Sequence, residues 1–271
     1  MKKWLLFTLC LLTTVTTSAA ERIVTIGGDI TEIVFALGAG EQVIARDSTS
    51  LVPESVKALP DVGYMRMLSP EGILSVKPTL IITSELARPS LALRRIKAAG
   101  VPVKTITGIH SLEAINQKIE TISDLLNKPE EGNQLKQKIN QAIAKIPTTP
   151  IDKKVIYIMS HGGVVPMAAG QNTAADTIIT LVGGKNAMQG FTSYRPLSQE
   201  GVIASQPDIL LVTTEGLKTI GGIDKLWELP GIKYTPAGKN KHYVVVNDMG
   251  LLGFTLSTPE VMHQIRQVLE Q

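Results

Sequence analysis

The chain has 271 residues, 44% of them hydrophobic, with 27 Lys and Arg against 24 Asp and Glu and a formal net charge of +3. Without Lys2 and Lys3 the balance is 25 against 24, which gives no reason to expect a nucleic-acid partner. The single cysteine, Cys10, rules out an intrachain disulfide framework.

Residues 1–20 read as a signal peptide: Lys2 and Lys3, an apolar run from Trp4 to Leu12, then Ser18-Ala19-Ala20 before cleavage ahead of Glu21. The run is too short for a membrane span, which needs about 20 apolar residues. Cys10 follows Leu9, not a small residue, so it reads as part of the apolar run and not as a lipid attachment point. The expected location is the periplasm.

From Arg22 the pattern is strand, short turn, helix. Ile23-Val24-Thr25-Ile26 reads as a buried strand, Gly27-Gly28 as a turn, and Asp29 and Glu32 have the spacing of a capping box ahead of Ile33, Val34 and Leu37. Strands recur at Leu80–Ile82, Val101–Val103, Val155–Met159, Ile209–Val212 and Val244–Val246. This alternation predicts an α/β fold with largely parallel sheets. Between Ser111 and Ile146 the apolar spacing is helical, and Asn127-Lys128-Pro129 divides it into two helices. The division expected is a lobe over 21–127, a connecting helix over 128–146 and a second lobe over 147–271.

The halves resemble each other. Leu68-Ser-Pro-Glu-Gly-Ile-Leu-Ser-Val-Lys-Pro78 aligns without gaps on Leu197-Ser-Gln-Glu-Gly-Val-Ile-Ala-Ser-Gln-Pro207, 129 positions later. Two related lobes, each Rossmann-like, predict a ligand cleft between them.

The opening Arg22–Ile26, Thr31-Glu32-Ile33, Ala36-Leu37-Gly38, the Ser69-to-Ile82 stretch and Leu229-Pro230-Gly231 with Val244–Val246 resemble the helical-backbone periplasmic binding proteins that serve importers of siderophores, vitamin B12 and haem. Asp47–Ser50, Gly63-Tyr64-Met65-Arg66 and Leu68–Gly72 are similar to the haem-binding branch; Leu86–Pro89 departs from it, where a more glycine-rich turn is expected. The resemblance covers the whole chain after residue 20. It implies capture of haem, one or two molecules, and delivery to a permease dimer of an ATP-driven importer, with an outer-membrane haem receptor system upstream and a monomeric protein that is not an enzyme.

Tyr64 lies on an irregular stretch, where binding residues tend to be presented. Pattern alone favours a packed tyrosine with its hydroxyl hydrogen-bonded. The resemblance makes it an axial ligand of ferric haem, and tyrosine is a haem ligand type. A free phenol has a pKa of about 10, so iron and a nearby cation must favour the phenolate. Arg66 is a candidate for that cation, or for a fork on a haem propionate.

His161, in Ser160-His161-Gly162-Gly163, follows a strand at its carboxyl end, where α/β ligands gather. It reads as a turn histidine or, by the resemblance, as a ligand to the same iron or to a second haem. Arg195 precedes the second repeat copy as Tyr64 and Arg66 precede the first, and suits either a cleft residue or a surface ion pair. Glu71 and Glu200 hold matching places in the repeat, and the resemblance implies docking onto the permease pair; a helix-start glutamate favoured by the macrodipole also fits. His110, His242 and His263 are expected in solvent. Met167, Met188 and Met249 suit gap-filling positions or an apolar haem pocket.

Two other functions compete. A ferric-siderophore or corrinoid binder would use the same scaffold, with arginines and aromatics around a wrapped metal. A secreted α/β enzyme is disfavoured, because the glycines at 27–28 and 38–40 do not form a dinucleotide fingerprint, and no P-loop, nucleophile elbow or zincin motif is present.

Overall fold

The computed structural model describes residues 21–88, 90–162 and 165–271, so the expected signal segment with Cys10 lies outside it, as do Pro89, Gly163 and Val164. In chain order the first lobe runs β1 (Ile23–Ile26), α1 (Gly28–Ala36), β2 (Val43–Arg46), α2 (Pro70–Ser75), β3 (Leu80–Ser84), α3 (Leu91–Ala98), β4 (Val103–Ile106) and α4 (Leu112–Leu125). Helix α5 (Pro129–Ala144) follows. The second lobe runs β5 (Lys154–Met159), β6 (Met167–Ala169), α6 (Ala174–Leu181), β7 (Lys185–Asn186), β8 (Tyr194–Pro196), α7 (Gln199–Ser205), β9 (Ile209–Thr213) and α8 (Thr214–Ile220). It ends with α9 (Ile223–Trp227), α10 (Pro236–Asn240), β10 (Tyr243–Val246), α11 (Asp248–Leu252) and α12 (Thr258–Leu269).

Among the described residues the first sheet has four strands, ordered β2-β1-β3-β4 and all parallel. Every residue of β1 and β3 is buried, as expected of central parallel strands covered by helices on both faces. The second sheet is mixed. Strands β10, β9, β5 and β7 pair in parallel, while β6 and β8 add an antiparallel extension at the edge. That extension is not visible in the apolar pattern.

The two repeat copies fold alike. Ser69 caps α2 by accepting from the Gly72 N–H, and Ser198 caps α7 by accepting from the Gly201 N–H. Both segments then pass through a left-handed residue, Lys77 and Gln206, at φ 52° and 46°. Both run into fully buried five-residue strands, β3 and β9, and at their ends Ser84 and Thr213 cap the next helical turn.

Asn127, at φ 55°, and the Pro129 that opens α5 separate α4 from α5. Helix α5 packs along α4 and touches α12 of the second lobe. One apolar cluster also passes from lobe to lobe, joining Ile30, Ile33 and Val34 of α1 with Leu251, Phe254 and Val261. The spacing of Asp29 and Glu32 does not make a capping box. Gly27 occupies the N-cap of α1 without a side-chain bond, and both carboxylates are buried in this interface.

Candidate ligand site

Tyr64 sits on the loop that leaves β2, and that loop is tied down at several points. Residues 46 and 61 form an isolated parallel bridge, with Arg46 N–H donating to Pro60 O at 2.9 Å and Val62 N–H to Arg46 O at 2.9 Å. The Arg46 guanidinium pairs with Asp61 at 2.7 Å. Ser48 N–H reaches Gly63 O at 3.0 Å, and Gly63 turns the chain at φ 98°, a conformation glycine adopts without penalty. Met67 N–H then donates to Tyr64 O at 2.7 Å, closing a turn.

Asp47 organises the adjacent bend. It accepts from Gly27 N–H (2.9 Å), Thr49 N–H (3.1 Å), the Thr49 hydroxyl (2.7 Å) and the Ser50 hydroxyl (2.7 Å). Burial raises its pKa against the pull of those bonds. Tyr64 is thus presented half-buried against the outer cluster of the first sheet, with Met65 buried beneath it and Met67 81% exposed beside it. Arg66 is exposed, its Nε donating to Leu86 O at 3.2 Å.

His161 and Gly162 are exposed immediately after β5, behind the buried Ser160. Arg195 and Tyr194 are neighbours on β8, where alternate side chains take opposite faces. Arg195 is exposed and lies over the Phe191 ring, 4.7 Å from its centroid. Tyr194 packs against the core, and burial pushes its phenol up to about 12 while the Arg66 guanidinium pulls it down. The structure therefore brings Arg66 of the first lobe within electrostatic reach of Tyr194 of the second. Sequence reading passed over Tyr194 in favour of Arg195, although strand alternation separates the two.

Glu71 and Glu200 are both exposed in the first turns of α2 and α7. Its own backbone N–H and then the Ser69 hydroxyl, at 2.8 Å, hold the Glu71 carboxyl below its usual range. His242 and His263 are exposed as expected, but His110 is not a solvent residue. It stacks on Phe254 at 5.9 Å between ring centroids, and burial followed by the Lys118 charge lowers its pKa. Among the methionines, Met188 packs on the outer cluster of the second sheet and Met249 lies against Gly28. No group of three His, Cys, Asp or Glu among the described residues is arranged to hold a bare metal ion.

The tethered loop after β2 thus presents a phenol and a guanidinium, and the turn after β5 presents an exposed imidazole. The family model described as periplasmic binding protein matches residues 23–248. The chain belongs to this family. Its fold is similar to that of the periplasmic haem-binding protein RhuT from Roseiflexus sp. RS-1, at 41% identity and a TM-score of 0.87 over 93% of this chain and 98% of that one. It is also similar to haem-binding HutB of Vibrio cholerae, at 36% identity and a TM-score of 0.79 over 93% and 100%. A third similar structure is haem-binding BhuT in complex with two haems, at 35% identity and a TM-score of 0.83 over 93% and 98%. Among curated proteins, a vitamin B12-binding protein of Vibrio vulnificus is 28% identical over 98% of this chain and 95% of its own. The two-lobed α/β fold read from the sequence is that of these binding proteins.

Proposed function

We propose that this binding protein captures ferric haem between its lobes in the periplasm and delivers it to the permease dimer of an ATP-driven importer. The observation that carries the reading is the placement of Tyr64: a phenol on a loop held by the 46–61 bridge and the Arg46–Asp61 pair, with Arg66 two residues on. A phenolate oxygen suits ferric iron, and a guanidinium suits both the phenolate and a propionate. The haem-binding proteins RhuT, BhuT and HutB are 35–41% identical to this chain, against 28% for the vitamin B12-binding relative.

In this reading Tyr64 is an axial ligand and Arg66 and Arg195 meet propionates. His161 ligates the same iron or that of a second haem, an option supported by the two haems in BhuT. Glu71 and Glu200 dock on the permease, an outer-membrane receptor system supplies the haem, and the protein works as a monomer.

Hemin titration followed by visible absorption tests this. A saturable tyrosinate-type ferric spectrum is expected in the wild type, lost in Tyr64→Ala, with the stoichiometry of His161→Ala showing whether that residue serves a second haem. A wild type with no specific spectrum would overturn the haem reading. The second reading, a corrinoid ligand, is favoured by the vitamin B12-binding relative, and cobalamin binding by equilibrium dialysis separates it.

A further inference from the structure

The segment 253–257 of the second lobe is seated on α1 and α4 of the first. Lys118 of α4, wholly buried, donates to Asp29 of α1 at 2.7 Å and also to the carbonyls of Gly253 at 2.5 Å and Phe254 at 3.3 Å. His110 stacks on Phe254. At the other end of the segment, Glu32 of α1 accepts from Ser257 N–H at 3.3 Å and pairs with the Ser257 hydroxyl at the start of α12. Gly28 lets α11 approach closely, since a Cβ there would come within 2.7 Å of Met249 Cγ.

The charges of this joint do not balance when both carboxyls and Lys118 are ionised and His110 is neutral. Asp29 and Glu32 are two carboxylates, 0% and 5% exposed, and among the described residues Lys118 is the one cation bonded to either of them. Asp29 Oδ1 has no hydrogen-bond partner among the described residues. His110, the other titratable group here, is held towards its neutral form by burial and by Lys118. A buried charge without a counter-charge is costly, and a carboxyl in that position relieves the cost by taking up a proton. Protonated Glu32 makes the cluster neutral and keeps both contacts, donating to Ser257 Oγ from one oxygen and accepting the N–H on the other.

We propose that Glu32 is a proton-operated latch between the lobes, fastening segment 253–257 onto α1 when protonated and loosening it when ionised. Burial, the largest influence, raises the Glu32 pKa from 4.5 to about 7, and the Ser257 bonds only partly offset this. A carboxyl whose pKa is raised in the fastened state contributes stability that is fully present below its ordinary pKa and lost as pH rises through the raised one. Between pH 6 and pH 8 this linkage loosens the joint about tenfold. The lobes are therefore stiffest relative to one another in acid and freer in alkali.

Hydrogen exchange of the ligand-free protein tests the latch, independently of whether haem is the ligand. After correction for intrinsic exchange, amides of residues 253–258 are expected to lose about tenfold protection from pH 6 to pH 8 in the wild type, and none in Glu32→Gln. Equal protection at both pH values, or a pH dependence that persists in Glu32→Gln, would overturn the proposal. Should Glu32→Gln fail to fold, the infrared carboxyl band of glutamate-labelled wild type decides. A protonated buried carboxyl that disappears with a midpoint near 7 supports the latch, and no such band at pH 6 refutes it.

Discussion

Lys118 carries its charge to a place no solvent reaches, and its three acceptors come from both lobes: the Asp29 carboxylate and the carbonyls of Gly253 and Phe254. Removing one partner of a buried pair leaves the other uncompensated, at a cost of about 3–5 kcal/mol. Lys118→Met should lower the urea-unfolding free energy by that amount, and adding Asp29→Leu should recover a large part of it, because both charges are then gone. Tyr194 supplies a second test at this scale. Its phenol is raised to about 12 with Arg66 pulling the other way, so Arg66→Met should move it higher still in an ultraviolet phenolate titration. A phenol raised in the folded state stabilises the fold below its ordinary pKa of about 10, and that contribution fades as pH climbs through the raised value. Neither residue was legible as a site. A lysine at helical spacing looks like a solvated face, and Asp29 and Glu32 mimic a capping box because their partners, Lys118 and Ser257, lie 89 and 225 positions away. Tyr64, Arg66 and His161 are singled out by a resemblance alone, whereas the loop bonds that position Tyr64 are tertiary and leave no sequence signal.

The repeat shows what local signals can specify. Serine, then a glutamate two residues on and a glycine three on, recurs 129 positions later, and both copies become a capped helix, a left-handed exit and a buried strand. The physics is contained within each copy, so the pattern survives without tertiary help. An N-cap serine contributes about 1 kcal/mol. Ser69→Ala and Ser198→Ala should each cost about that in denaturant unfolding, add in the double variant, and leave ligand affinity unchanged. The antiparallel strands β6 and β8 are the opposite case. Each is three residues long, Pro196 ends one of them, and they are defined by pairing with β5 and with each other. Three residues are too few for a period-two pattern to register, so the parallel part of the second sheet could be read and its antiparallel edge could not.

Across the whole molecule, the apolar cluster shared by α1, α11 and α12, the buried Lys118 bonds and helix α5 on α4 and α12 all join the lobes. Opening the lobes widely would break all three at once. Small-angle scattering should therefore show a radius of gyration that changes little when the ligand is added, and a large ligand-dependent compaction would contradict this. In the proposed function, a protein joined in this way gives up its ligand to the permease it docks on. Glu71 and Glu200 suit that docking: they are exposed, one per lobe, in matched first turns, and Ser69 with the helix backbone holds Glu71 towards its ionised form. Exposed charges of this sort set encounter rate and orientation more than affinity. Reversing both, Glu71→Lys with Glu200→Lys, should leave the hemin spectrum and its titration midpoint untouched. Uptake by vesicles containing the cognate permease should fall at least tenfold, with each single variant intermediate, since in the proposed docking a dimeric permease reads the two lobes separately. Loss of hemin binding in the double variant would mean that the glutamates support the cleft; full uptake would mean that docking rests on other residues.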